Sequence, residues 1–190
     1  IGPESEWMAS DVFAFSLLAF SPSELENEFG FKPMDIFDLL DKNFLVETDD
    51  ITGYDFADFQ TKQAFNRRPM ISVEWSAMVA LAYVKMSEYY QQFYSLTSEE
   101  SIKAQAGKCL DKGRNILDNL DKRAMFFTQN QLAYPYATKA WEQVFPFAQW
   151  WRTPQRGENG RLAGSVAGTC WRMFAEERFN PFARLQGKKR

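Results

Sequence analysis

The stretch that most restricts this fold begins at Ser72 and runs to about Phe93. Trp75, Met78, Val79, Ala82, Tyr83, Met86, Tyr89, Tyr90 and Phe93 recur there at three- and four-residue spacing. That period matches one face of an α-helix and does not match the two-residue alternation of a strand. Ser72 stands where a hydroxyl N-cap is favoured, so the pattern predicts an amphipathic helix of about 22 residues.

Other segments share the period. Trp7 to Phe20 reads as a helix with Trp7, Val12, Phe15 and Leu18 on one side and more apolar residues opposite. A helix apolar all round belongs in the interior. Ser21-Pro22 stops it. Pro33 opens a helix to about Val46, with Ile36, Phe37, Leu40 and Phe44 buried and Asp35, Asp38 and Asp41 outside. After Ser72's helix comes a tight turn, where Thr97 and Glu100 have capping-box spacing. The next helix reaches about Asp121 on Ile102, Ala106, Cys109, Leu110, Ile116, Leu117 and Leu120. A last helix, about Leu162 to Phe179, carries Val166, Cys170, Met173 and Phe174 and ends at Asn180-Pro181. No sustained period-two run competes with these, so the fold class is all-α.

Two long segments, 47–71 and 122–160, interrupt the helices. They exceed ordinary connections, which points to function. A short turn makes the helices from Ser72 and to Asp121 antiparallel. If the last helix runs parallel to the Ser72 helix, both long segments lie at helix N-termini on one face. That is the layout of an α/α-hairpin toroid, or a partial toroid with long loops on one face. Residues 1–190 then form a single helical domain, or the C-terminal part of a larger toroid. A regular solenoid is disfavoured, because no self-similarity of about 34 residues is visible.

Composition removes several chemistries. With 45% hydrophobic and 25% charged residues the chain buries a core. A net charge of −3 argues against nucleic acid, and Lys188-Lys189-Arg190 reads as a solvated tail. The absence of histidine removes Ser–His and Cys–His pairs and the commonest transition-metal ligand. Cys109 and Cys170, 61 residues apart, read as buried thiols, with a disulfide between them left open by the sequence. No zinc, copper or organic cofactor is expected, although a carboxylate-bound Ca²⁺ in the Asp49–Asp58 loop remains compatible. No apolar run approaches the length of about 18 residues that a membrane span needs. The start Ile1-Gly2-Pro3 suggests a processed product or part of a longer polypeptide, with a periplasmic or secreted location favoured.

The aromatic content, 16%, is high. Trp141, Trp150 and Trp151, with Tyr134, Tyr136 and Arg152, suit a carbohydrate platform, where ring faces cover sugar C–H groups. The bland alternative is a loop that packs its own aromatics over the core. Glu74-Trp75, at the start of the Ser72 helix, offers a carboxylate beside an indole, though an acid there also stabilises the helix dipole. Glycosidic cleavage needs a second carboxylate. Asp49, Asp50, Asp55 and Asp58 are candidates, as is Glu142, although loop aspartates are commonly turn formers. In Gly53-Tyr54-Asp55-Phe56, Tyr54 and Asp55 are placed to grip a hydroxyl pair. Arg67-Arg68 can bind a carboxylate or cap a helix.

The succession VEWSAMVALAYVKMSEYY, LAYPYAT, WWRTP and LAGSVAGTCWRMFAEERFNPF resembles bacterial proteins of α/α-toroid, glucoamylase-like architecture, over about residues 50–183. The resemblance implies the toroid fold. Its relatives carry a Gly-His-Gly-like turn before the Trp-Arg-Thr-Pro stretch, where this chain has Phe147-Ala148-Gln149-Trp150. It therefore implies architecture rather than a set of catalytic residues.

The expected function is glycan recognition, with glycosidic-bond hydrolysis as its enzymatic form. Glu74 paired with Asp50, Asp55 or Glu142 would supply the chemistry, and Trp75, Tyr54, Tyr134, Tyr136, Trp141, Trp150, Trp151 and Arg152 the binding. The alternatives are a non-catalytic helical scaffold for a partner protein and a small-molecule binding module. A toroid fragment exposes apolar edges, so association with another chain, or with the rest of its own polypeptide, is also expected.

Overall fold

The computed structural model describes residues 8–48, 50–64, 66–128, 131–138 and 163–183. It is 63% helical and 12% strand, so the all-helical expectation holds with short hairpins added to it. Helix α1 (Ser10–Ala19) ends at Ser21-Pro22, which also starts α2 (Pro22–Asn27). There Ser21 Oγ accepts from the Glu24 N–H while the Glu24 carboxylate takes the Ser21 N–H, a reciprocal capping box. Pro33, at the first position, opens α3 (Pro33–Phe44).

The 47–71 segment is more ordered than its polarity suggests. Strand β1 (Leu45–Glu47) pairs antiparallel with β2 (Thr52–Tyr54), Val46 facing Gly53, and α4 (Phe59–Ala64) follows. Gly53 is required: an added Cβ would lie 2.5 Å from Ile71 Cγ2 and 2.9 Å from Ser76 Oγ. The long helix α5 (Val73–Thr97) is capped by Ser72, whose side chain accepts from the Trp75 N–H. Ser98, at φ 58°, turns the chain into α6 (Glu100–Asp121). The capping box expected at Thr97 and Glu100 does not form. The Thr97 hydroxyl donates back to the Phe93 carbonyl at 3.2 Å, and Glu100 accepts from the Tyr94 hydroxyl at 2.9 Å. A second hairpin, β3 (Met125–Thr128) with β4 (Gln131–Ala133), precedes α7 (Val166–Glu176).

α5 is the axis of the domain, packed against α6, α7 and α1. Its N-terminal half is buried on every side, with Val73 and every residue from Trp75 to Val84 inside. Phe37 stacks on Tyr83 with centroids 3.8 Å apart. Gly113 of α6 lets the two backbones close up, since a Cβ there would lie 3.0 Å from the Ala80 carbonyl. α1 corrects the interior reading. Ala14, Leu17 and Leu18 are buried, but Val12 is 61% and Phe20 39% exposed.

The helix starts collect at one end. Ser10 N–H donates to the Phe56 carbonyl (3.4 Å) and Ser72 N–H to the Tyr54 carbonyl (2.8 Å), so residues 54–56 link the starts of α1 and α5. Val73 N–H donates to the Tyr136 carbonyl (3.1 Å) and Ser165 N–H to that of Tyr134 (2.7 Å), linking the starts of α5 and α7. A rim of extended backbone thus holds the starts of three helices together. The described parts of both long segments, at residues 54–56 and 134–136, contribute to this rim.

Candidate functional site

Two carboxyls stand in first helical turns at this rim: Asp11 on α1 and Glu74 on α5. Both are half-buried. Burial raises the Glu74 carboxyl above its ordinary value, and the charge of Asp11 raises it further. Burial also raises Asp11, only partly offset by hydrogen bonds from the backbone N–H groups of Val12 and Asp11 itself. Asp11 Oδ1 is buried and has no hydrogen-bond partner among the described residues. A carboxylate in a first turn is normally favoured by the helix dipole. Here desolvation outweighs the dipole, and the proton is retained to higher pH. Tyr136, half-buried, meets this site through its carbonyl at Val73, next to Glu74.

The other acid candidates are tied up. Asp55 is fully buried, and its carboxylate accepts from Arg67 Nη2 (2.6 Å), Met70 N–H (3.0 Å) and Ala57 N–H (3.2 Å). Lys62 Nζ approaches at 3.9 Å, and burial lowers its pKa. Arg67 also covers the Phe56 ring at 4.6 Å. Tyr54 is likewise fully buried, and its hydroxyl donates to Asp41, which also takes Lys112 Nζ at 3.1 Å. The expectation that Tyr54 and Asp55 grip a hydroxyl pair is therefore corrected: both anchor the 54–70 segment from inside. Asp58 is buried and accepts from the Met8 N–H at 2.6 Å. Asp50 is exposed and pairs with Arg123 at 2.6 Å, joining the first hairpin to the end of α6. Trp75 is 7% exposed and meets Phe56 edge-to-face at 5.5 Å. It is a core residue, not a stacking platform.

Tyr134 is also buried, but at a latch. Its hydroxyl donates to Asp121 Oδ1 (2.6 Å), which also receives Arg172 Nε (2.9 Å), while Arg172 Nη2 holds Oδ2 (2.7 Å) and Nη1 holds Glu176 (2.7 Å). Burial alone would raise Asp121, but the Arg172 and Tyr134 hydrogen bonds outweigh it and hold the carboxyl below its ordinary value. Burial and the Asp121 carboxylate push the Tyr134 hydroxyl up. The latch ties the end of α6 to α7, and the cavities beside it, about 530 and 350 Å³, share Asp121, Arg172 and Glu176. Because these charges already satisfy one another, the latch reads as structural.

Glu142, Trp141, Trp150, Trp151 and Arg152 lie outside the described residues. Glu74 and Tyr136 come together at the rim, whereas Asp50, Asp55 and Tyr54 serve other contacts. Sequence reasoning missed Asp11. It is the only charged residue in the otherwise apolar α1, and an acid at that place was the available signal. It also missed the Arg172 latch, signalled by a single cation in the apolar first turns of α7. Among the described residues no group of three or more His, Cys, Asp or Glu is placed to hold a metal, and Cys109 and Cys170 are free thiols. No helix among them is long and apolar enough to cross a membrane. No known protein family, curated protein or solved structure matches this chain.

Proposed function

We propose that the helix-start rim is a glycan-recognition site, with glycosidic-bond hydrolysis as its enzymatic form. In this reading α1, α5 and α7 are inner helices of an α/α toroid, and α3 and α6 are their outer returns. The exposed Val166 and Met173 of α7 mark the edge at which such a toroid continues. One observation carries the proposal: Asp11 and Glu74 stand in the first turns of α1 and α5 at the same rim, without an ion pair among the described residues, and burial raises both carboxyls, Glu74 further through the charge of Asp11. Glycosidic cleavage requires two carboxyls, one to protonate the leaving oxygen and one to act as base or nucleophile. Glu74, raised by burial and by its neighbour, is the acid, and Asp11 is its partner. Tyr136, at the same rim, supplies a ring face. The aromatic segment around Trp150 and Trp151 is the remaining binding surface in this reading.

The test is oligosaccharide binding by calorimetry and turnover by reducing-sugar release, with Glu74→Gln, Asp11→Asn and Tyr136→Ala. Loss of a general acid should lower turnover about 10²–10⁴-fold. Binding should survive Glu74→Gln, and Tyr136→Ala should weaken binding. Undiminished turnover in Glu74→Gln would exclude the acid role. Failure of the unaltered chain to retain any oligosaccharide would end the glycan reading.

A further inference from the structure

A groove of about 240 Å³ opens between α1 and the α2–α3 corner. Val12, Ser16 and Phe20, spaced at four residues, form the α1 wall, and Phe29, Phe31 and Leu39 line the other side. Gly30, at φ 74°, makes the reversal, and the Phe31 N–H returns to the Leu25 carbonyl at 2.9 Å. Phe20 and Phe29 meet at 4.9 Å. These contacts shape the groove without filling it: Val12 is 61%, Phe31 57%, Phe29 48% and Leu39 44% exposed. Exposed apolar side chains gathered along one groove offer a surface that a partner can cover.

The α2–α3 segment that forms one side of the groove is acidic. Between Pro22 and Phe44 stand Glu24, Glu26, Glu28, Asp35, Asp38 and Asp41 against Lys32 and Lys42, an excess of negative charge larger than the −3 of the whole chain. Asp41 is held by Lys112 and Glu24 by its capping box, but Glu26, Glu28, Asp35 and Asp38 are exposed and without an ion pair among the described residues. Asp35 lies one helical turn from Leu39, and Glu28 adjoins Phe29, so charge borders the apolar floor.

We infer that this groove docks an amphipathic helix of a partner protein, with apolar anchors at i, i+4 and i+7 and Lys or Arg on its flanks. Such a helix lays an apolar face into a groove of this shape and sets its cations against the acidic walls. A second copy of this chain fits badly, because a two-fold interface would place these unneutralised acids against their own equivalents.

The probe is a labelled peptide of about 18 residues, Leu on one face and Lys on the other, titrated against the full chain by fluorescence anisotropy. Saturable binding is expected, with the affinity falling about tenfold or more in Leu39→Lys and in the exposed pair Glu28→Lys/Asp35→Lys. A peptide with the same Leu face and Glu in place of Lys should bind at least about tenfold more weakly. Circular dichroism checks that each variant is folded, and the surface pair Glu28→Lys/Asp35→Lys serves if Leu39→Lys is not. Equal binding of the Glu peptide would overturn the proposal, showing apolar adhesion without charge selection. Unchanged affinity in both variants would overturn it by placing the peptide elsewhere. Light scattering that shows a dimer, abolished by Leu39→Lys and blind to the peptide, would assign the groove to a second copy instead.

Discussion

Helices α5 and α1 exchange the places that their sequences suggest. α5 carries the clearest one-sided pattern in the chain, yet its first half is enclosed on all sides, Ala77 to Ala82 being no more than 1% exposed. α1 is apolar apart from Ser10, Asp11 and Ser16, yet Val12, and Phe20 just past its end, face solvent. The difference lies in the number of neighbours. α5 is flanked by α1, α6 and α7, whereas α1 packs on α5 and α3 and is left open along the groove. Apolarity states what a helix can bury, and the surrounding elements decide how much it does bury. The stripe reading of α5 holds better beyond Met86, where Tyr89 and Tyr90 are half-buried and Phe93 is 43% exposed.

The largest effect that sharpens this contrast is at Leu81, fully buried in α5. Leu81→Ala should cost about 2–5 kcal/mol in urea unfolding, by lost transfer energy and a residual cavity. Val12→Ala on α1 should stay within about 0.5 kcal/mol. Similar costs at the two sites would erase the distinction between an enclosed and a half-open helix.

The enclosure of α5 depends on the close approach of α6, and two glycines test it. A Cβ at Gly113 meets Ala80 O at 3.0 Å and Val84 Cγ2 at 3.1 Å, whereas one at Gly107 meets nothing within 4 Å. Gly113→Ala should destabilise by about 1–3 kcal/mol through overpacking. Gly107→Ala should stabilise by up to about 1 kcal/mol, because helix propensity acts there without a clash. A stabilising Gly113→Ala would show that α5 and α6 are less tightly joined than their spacing indicates.

The smallest effect concerns the acids at the two helix starts. Asp11 and Glu74 have folded-state values above the ordinary 3.8 and 4.5. Above those ordinary values the folded chain binds more protons than the unfolded one, so stability falls as pH rises through the raised folded values and then levels. Asp11→Asn and Glu74→Gln should therefore each raise the thermal midpoint slightly at neutral pH, with the gain vanishing in acid. Opposite behaviour at Asp121, which Arg172 and Tyr134 hold low, provides the control: its contribution is lost as pH falls below the ordinary carboxylate range. A destabilising Glu74→Gln at neutral pH would mark a structural carboxylate and weaken its assignment as an acid.

Legibility varied by kind of feature. Helices with strong period and local caps were readable: Ser72, Pro33 and the turn after Thr97 all lie at observed boundaries. The first hairpin was not, because β1 and β2 span only three residues each and are held by Gly53 fitting against Ile71 and Ser76. Among site residues, Glu74 was legible from its place in a first turn, but its neighbour Asp11 lies 63 positions away in the numbering, and no local pattern joins them. Asp55 was legible as an unusual loop acid, and the burial of Arg67 beside it turned that acid into an internal tether.

By itself the sequence determined the helical class, the approximate place of the long helices, and the chemistry that a chain without histidine lacks. These follow from local periodicity, from caps within four residues and from side-chain inventory, all of which act over short separations. The tertiary structure alone decided which acids stay free, which become anchors and which apolar faces remain open. Those outcomes depend on contacts such as Arg172 with Asp121 and Ser72 with Tyr54, formed between residues that only the packed chain brings together. Burial and cation pairing, which separate Glu74, without an ion pair among the described residues, from the tethered Asp55, are properties of that packing and have no local code.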